Sequence, residues 1–300
     1  MLIRIGHDIE WALDSPTTLI AALSVHPSRA QDLLRSEKLV VEPPLVPRTF
    51  RDEFDNIKTR LEVPAGVARL RLRSHAVVRD SGLPDPVWAS AQASPLGELP
   101  TQTLGFLLPS RYGEVDSELM SLAWQRFGHV PAGWARVQAV CDYVHGHLRF
   151  DYAQARANRT ALDAWREGVG VCRDFAHLAL TLCRCLNMPA RYVTGYLGDI
   201  GIAPVPSPMD FSAWFEVWLD GRWHTFDARH NTPRIGRVAM ARGCDAADVP
   251  IAMSFGRCVP LRFEVVAEEY VAALAGSAVL AGAAAAARAP SAHALSGTAT

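Results

Sequence analysis

Apolar and polar positions alternate with a period of two through much of the first hundred residues. Ile57, Thr59, Leu61 and Val63 are separated by polar neighbours, and the stretch from Val67 to Arg73 repeats the pattern, which is the signature of half-buried strands. The opening residues Met1 to Asp8 place charges among apolar side chains, so they predict a strand. They do not form the apolar run that a secretion signal needs. Pro43-Pro44, Pro64-Ala65-Gly66 and Gly82-Leu83-Pro84 supply turns. A β-sandwich-like domain is therefore expected over residues 1–107.

The period then lengthens. Val115, Leu119, Leu122 and Phe127 fall near a 3.6-residue repeat, and Pro131 precedes a second stripe of Trp134, Val137, Cys141, Val144 and Leu148. A third helix is predicted from Cys172, with Phe175, Leu178, Ala179, Leu182 and Leu186 on its buried side and Asn187-Met188-Pro189 as the stop. Strand-like Arg191 to Leu197 follows. The runs 213–219 and 222–227 then flank Asp220-Gly221, the strongest short-range hairpin signal. From about residue 272 the composition reduces to Ala, Gly, Ser and Thr. This predicts a flexible tail rather than a membrane span.

Composition narrows the functional classes. With 30 basic and 31 acidic residues the net charge is −1, so no basic stripe is available to grip nucleic acid. The six cysteines show no paired spacing suited to zinc. No metal or cofactor is expected. Without a secretion signal, the cysteines read as reduced thiols in the cytoplasm.

One cysteine has the setting of a nucleophile. Cys172 falls at the first turn of its helix, where free N–H groups and the macrodipole favour a thiolate. Gly168 and Gly170 let the backbone turn and a carbonyl approach. The Cys172 N–H is placed to donate to an oxyanion, and Arg173 adds positive charge. The alternative is a small buried hydrophobe on the stripe of Phe175 and Ala179.

The segment Gly170-Val-Cys-Arg-Asp-Phe-Ala-His-Leu178, followed by Ala190 to Tyr196, resembles the nucleophile helix and next strand of bacterial transglutaminase-like proteins. Ala213-Trp-Phe-Glu-Val217 and Trp223 to Asp227 resemble that family's histidine and aspartate strands. The resemblance spans roughly 108–265. It implies an α+β fold: an N-terminal β-sandwich-like domain over 1–107, a papain/transglutaminase-like core over 108–266 with the nucleophile helix packed on an antiparallel sheet, and an Ala-rich flexible tail over 267–300. It also implies a Cys-His-Asp triad that attacks an amide or ester carbonyl, with water or an amine resolving the acyl-enzyme. Cys172 is then the nucleophile and Asp227 the residue that orients an imidazole.

The imidazole itself is missing from its place. The family reads His-Ala-Trp where this chain reads Ser212-Ala213-Trp214. A two-residue turn at Asp220-Gly221 pairs Leu219 with Arg222 and Trp214 with Asp227, which makes Ser212 a diagonal neighbour of Asp227. His224 then lies on the opposite face. His177, five positions past the thiol, points about 140° away round the helix. His230, three residues beyond Asp227, is the remaining alternative base. Trp214, Trp218 and Trp223 share the face of Asp227, to line a cleft or to pack. Two readings follow. One is a cysteine-dependent amidase, peptidase or transamidating ligase, acting on a peptide or protein amide with water or an amine as acceptor. The other is a catalytically impaired module that keeps the cleft to bind a peptide or protein partner. Neither calls for nucleic acid or a membrane.

Overall fold

The computed structural model describes residues 1–35 and 37–271. The tail expected over 267–300 therefore falls almost wholly outside the described residues.

Six strands form first: β1 (Leu2–Leu13), β2 (Thr17–Ala21), β3 (Val40–Glu42), β4 (Arg48–Arg51), β5 (Ile57–Val63) and β6 (Arg69–Arg79). Then come the helices α1 (Thr101–Leu104), α2 (Glu118–Phe127) and α3 (Trp134–His147), the short strand β7 (Arg149–Phe150), α4 (Ala161–Glu167), β8 (Val169–Gly170) and α5 (Cys172–Cys185). Strands β9 (Ala190–Tyr196), β10 (Ser212–Leu219), β11 (Arg222–Phe226), β12 (Val238–Gly243), β13 (Ala252–Phe255) and β14 (Cys258–Glu269) complete the order. The apolar stripes read at 115–127 and 134–148 and from 172 onward are α2, α3 and α5. The alternating stretches at 57–63 and 67–73 are β5 and β6.

Two four-stranded sheets, ordered β14-β1-β6-β3 and β13-β2-β5-β4, enclose one core. Ile3, Ile5, Ile9 and Trp11 point inward from β1 and meet Leu19, Leu61, Leu70 and Leu72, as alternation requires. The sandwich is not made from the N-terminal stretch alone. β14 runs antiparallel along the whole of β1, from Ile3 opposite Glu269 to Leu13 opposite Cys258, and β13 pairs with β2. Residues 252–269 follow the helical region in sequence, yet they cover the β1 and β2 edges of the two sheets. An open edge presents unpaired N–H and C=O groups, and nothing local to 252–269 tells which edge they will find.

The second layer system is a sheet of order β11-β10-β9-β12, backed by α5. Ala213, Phe215, Val217 and Leu219 of β10 and Phe226 of β11 share a core with Phe175, Leu178, Ala179 and Leu182 of α5. The hairpin has the register predicted from its two-residue turn: Leu219 faces Arg222, Val217 faces His224 and Phe215 faces Phe226. Asp220 and Gly221 both take positive φ, 46° and 75°, as a type I′ turn requires. Gly195 of β9 faces Ser212 at the closest approach in this sheet. A Cβ at Gly195 would lie 2.2 Å from the Val238 carbonyl and 2.9 Å from the Trp214 ring, so β9 and β12 can pair only around a glycine.

Gly195→Ala is accordingly expected to lower stability by about 1–3 kcal/mol, the usual range for overpacking, read as a shift of the urea midpoint. An unchanged midpoint would show that β12 can move aside.

Candidate active site

The start of α5 is fixed by its own acid. Val171 is the N-cap in extended conformation, and valine offers no side-chain acceptor. Asp174 folds back instead and accepts the Val171 N–H at 2.9 Å. This leaves no room at Gly170, where a Cβ would stand 2.6 Å from the Asp174 Cβ. Asp174 is fully buried, and Arg159 and Arg173 reach it at 3.2 and 3.3 Å. Cys172 is the first residue inside the helix, so its N–H has no intrahelical acceptor.

The sulfur rests against β10. Sγ lies 4.0 Å from the Phe211 carbonyl, with the Ala213 N–H favouring its ionised form. Cys172 keeps partial surface exposure, although protein atoms close round the sulfur itself. Burial pushes the thiol up to about 11, with Asp210 and Asp174 adding to the rise against the pull of Arg229. The lowered thiol expected from the helix terminus is therefore not found. Burial is the largest influence on this thiol, and the cap that completes the helix brings a carboxylate with it.

The nearby cation is also not the one expected. Arg173 turns away, donating to the carbonyls of Ala157, at 3.0 Å, and Arg156. Arg229 takes its place.

Asp227 follows β11 and is almost fully buried. It accepts the backbone N–H groups of Arg229 and His230, both at 3.0 Å. Its other oxygen meets His230 Nδ1 and Arg237 Nη2, each at 2.8 Å. Burial alone would raise this carboxyl, but Arg237 and then His230 hold it well below the usual carboxylate range. His230 is thus gripped through Nδ1, which leaves Nε2 as its free nitrogen.

Ser212 is buried and its Oγ has no partner. Among the described residues no hydrogen bond joins Cys172 to Ser212, Asp227 or His230. The structure therefore brings Asp227 and His230 together and leaves the thiol outside that pair. His224 bonds the Leu219 carbonyl at 3.2 Å and packs edge-on to Trp134. His177 stacks on Tyr112 and accepts the Ala246 N–H. Both are structural. Trp218 packs on Trp223 at 5.3 Å, and Trp214 lies under Arg237. This face points away from α5: Trp218 and Trp223 pack on each other while Trp214 packs with Val193 and Ala239, and none of the three lines a wall beside the thiol.

Comparison with known proteins identifies the family. A profile of the transglutaminase-like superfamily matches residues 125–228, a stretch that contains Cys172, Ser212 and Asp227. The crystal structure of a "putative cysteine protease" from Cytophaga hutchinsonii is 30% identical, with a TM-score of 0.77 over 93% of this chain and 92% of that one. The chain belongs to the transglutaminase-like superfamily. An uncharacterised protein of Mycobacterium leprae is similar as well, 26% identical over 240 residues, which is 74% of this chain and 81% of that protein.

Ser212, where the sequence resemblance implies a histidine, lies inside the matched stretch. The groups that act on the thiol and on one another are Arg229, Asp210 and the Tyr152 phenol. None of the three stood out in the sequence. Arg229 carries one faint signal, its place between Asp227 and His230 in Asp-Ala-Arg-His. Asp210 and Tyr152 sit in irregular segments that no periodicity marks. Among the described residues no cluster of His, Cys, Asp and Glu is arranged to hold a metal, and no helix is long and apolar enough to cross a membrane.

Two measurements check the electrostatics. Iodoacetamide should alkylate Cys172 about tenfold faster per pH unit up to pH 10, with half-ionisation near 11; a plateau by pH 8.5 would refute the buried thiol. Asp174→Asn removes one of two carboxylates from Arg159, which keeps Glu167 at 2.9 Å, and should cost about 1–3 kcal/mol, seen as a lowered thermal midpoint.

Proposed function

We propose that this protein is a cysteine-dependent acyl-transfer enzyme acting on a peptide-like amide, with Cys172 as nucleophile. The observation that carries this reading is the Asp227–His230 pair at 2.8 Å. In this reading the pair serves as the orienting half of a triad, and Arg229, which lies between the two in sequence, lowers the cost of charge on the thiol. The name of the Cytophaga protein agrees with it.

In this reading the sulfur attacks the carbonyl carbon, and the Cys172 N–H donates to the oxygen as it gains charge. A thiol near 11 keeps its proton until the substrate arrives, so proton loss accompanies attack. His230 Nε2 receives that proton through a bridging water or a substrate group and returns it to the departing amine as the C–N bond breaks. Water then releases the acid, or an amine takes the acyl group. Six free cysteines fit a reducing, cytoplasmic setting.

The test is a panel of variants on an activated ester and a peptide anilide. Cys172→Ala should abolish both turnover and the covalent acyl-enzyme detected by mass spectrometry. His230→Ala should lower kcat by roughly 10²–10⁴, and unchanged turnover would remove His230 as the base. Ser212→His should raise ester hydrolysis in a Cys172-dependent way.

A second reading has its own support. The unpartnered Ser212 Oγ and the raised thiol suit a cleft that binds peptide without turning it over. An absence of acyl-enzyme, with peptide still bound by Cys172→Ala, would favour it.

A further inference from the structure

Arg229 is a charged side chain with no counter-ion in contact. Its backbone is held on both sides: its N–H goes to Asp227, and its carbonyl accepts from His145 at 2.9 Å. Its guanidinium lies 3.9 Å over the Phe150 ring. Phe150 pairs with Gly170 between β7 and β8, two residues ahead of the nucleophile, and packs against Tyr152 at 4.8 Å. The aromatic floor thus carries the guanidinium to the mouth of the thiol site. Among the described residues Arg229 forms no ion pair, whereas Arg159, Arg173, Arg191 and Arg237 each have one. A planar, half-buried guanidinium lying on an aromatic face is built to bind a carboxylate through two parallel N–H groups.

We infer that Arg229 forms a carboxylate subsite beside Cys172, so that the preferred substrate carries a carboxylate within a few bonds of the carbonyl under attack. The inference rests on the thiol chemistry proposed above and adds the substrate class. Two kinds of molecule share this chemistry. One bears the charge on the acyl side, as in a dicarboxylate monoamide; the other bears it on the leaving side, as in a peptide cut next to its free C-terminus.

One group in the pocket competes. Asp210 accepts its own neighbour's N–H, from Phe211 at 2.6 Å, and acts on both Arg229 and Cys172. Burial pushes this carboxyl up to about 6. Below that pH it gives up its charge and leaves Arg229 to the substrate. The other groups acting on Arg229 are Cys172, the Tyr152 phenol and the Arg234 guanidinium. Burial raises the first two, which stay neutral over that range, and Arg234 stays charged throughout.

The test uses two alkylating agents of nearly equal size, iodoacetate and iodoacetamide, which differ in one charge. Their rate ratio at Cys172, read by peptide mass spectrometry at pH 8.5, cancels any change in thiol ionisation. The ratio of iodoacetate to iodoacetamide should fall on the order of tenfold in Arg229→Gln and should rise in Asp210→Asn. An unchanged ratio in Arg229→Gln, with both rates lowered together, would overturn the subsite and leave Arg229 as a counter-ion to the thiolate alone. Glutarate and an N-acetyl dipeptide with a free C-terminus then serve as protectants of the wild-type thiol. Protection by the first places the carboxylate on the acyl side, and protection by the second places it on the leaving side. Alkylation reads the subsite without turnover, so a failure here is distinguishable from a failure of Cys172→Ala to abolish activity.

Discussion

The helix that presents Cys172 is buried on every side, and most of the site follows from that. Every residue of α5 from Asp174 to Cys185 is buried, with the sheet against one flank and α2, α3 and α4 around the others. A helix in that position cannot leave polar side chains to water, so each must find a partner inside the protein. Asp174 meets Arg159, His177 lies between two tyrosines, Thr181 bonds the His177 carbonyl, and Arg184 reaches the Ala190 carbonyl. These pairings tie the helix to the loops that precede it and the strands that follow it. They fix where its first residue, Cys172, emerges.

The same burial decides the chemistry. A helix N-terminus in water favours a thiolate. One sunk among protein atoms and capped by its own buried carboxylate does not, and the thiol is raised instead. Under the proposed function, control of the thiol falls to charges brought from other segments. The charges at hand for that are Arg229 and Asp210, one of each sign, both half-buried and neither in a contact ion pair. The orienting Asp227–His230 pair stands apart, locked to Arg237. In the proposed reading, moving a proton and favouring negative charge thus fall to neighbouring residues of one loop.

Much of this was legible in the chain, and what was not has a physical reason. Asp220-Gly221 determines the hairpin register because only a short list of turns fits two residues, so the relation of Trp214 to Asp227 followed by counting. The stripe from Phe175 to Leu186 located α5 because apolar spacing is a local property. Arg229 was not legible, because its role depends on Phe150 arriving from 79 residues earlier in the chain. Arg173 looked like the cation at the thiol on adjacency alone, and a helix's first turn sends neighbouring side chains in different directions. The thiol's raised pKa was hidden for the same reason: desolvation is a sum over distant segments.

The pairing of β14 with β1 has a consequence for how the protein comes into being. Ile3 faces Glu269, so the second residue layer of the sandwich waits for nearly the last described residues of the chain. During synthesis the first strands leave the ribosome with one long edge and one short edge uncovered, while the whole of the core is still being made. The core is then enclosed, in chain order, between two parts of a single sheet. Contacts of such sequence separation form slowly, and exposed edges invite pairing with other chains in the interval. The nascent protein is therefore most vulnerable to aggregation before β14 has been translated, when the residues round Cys172 are already complete.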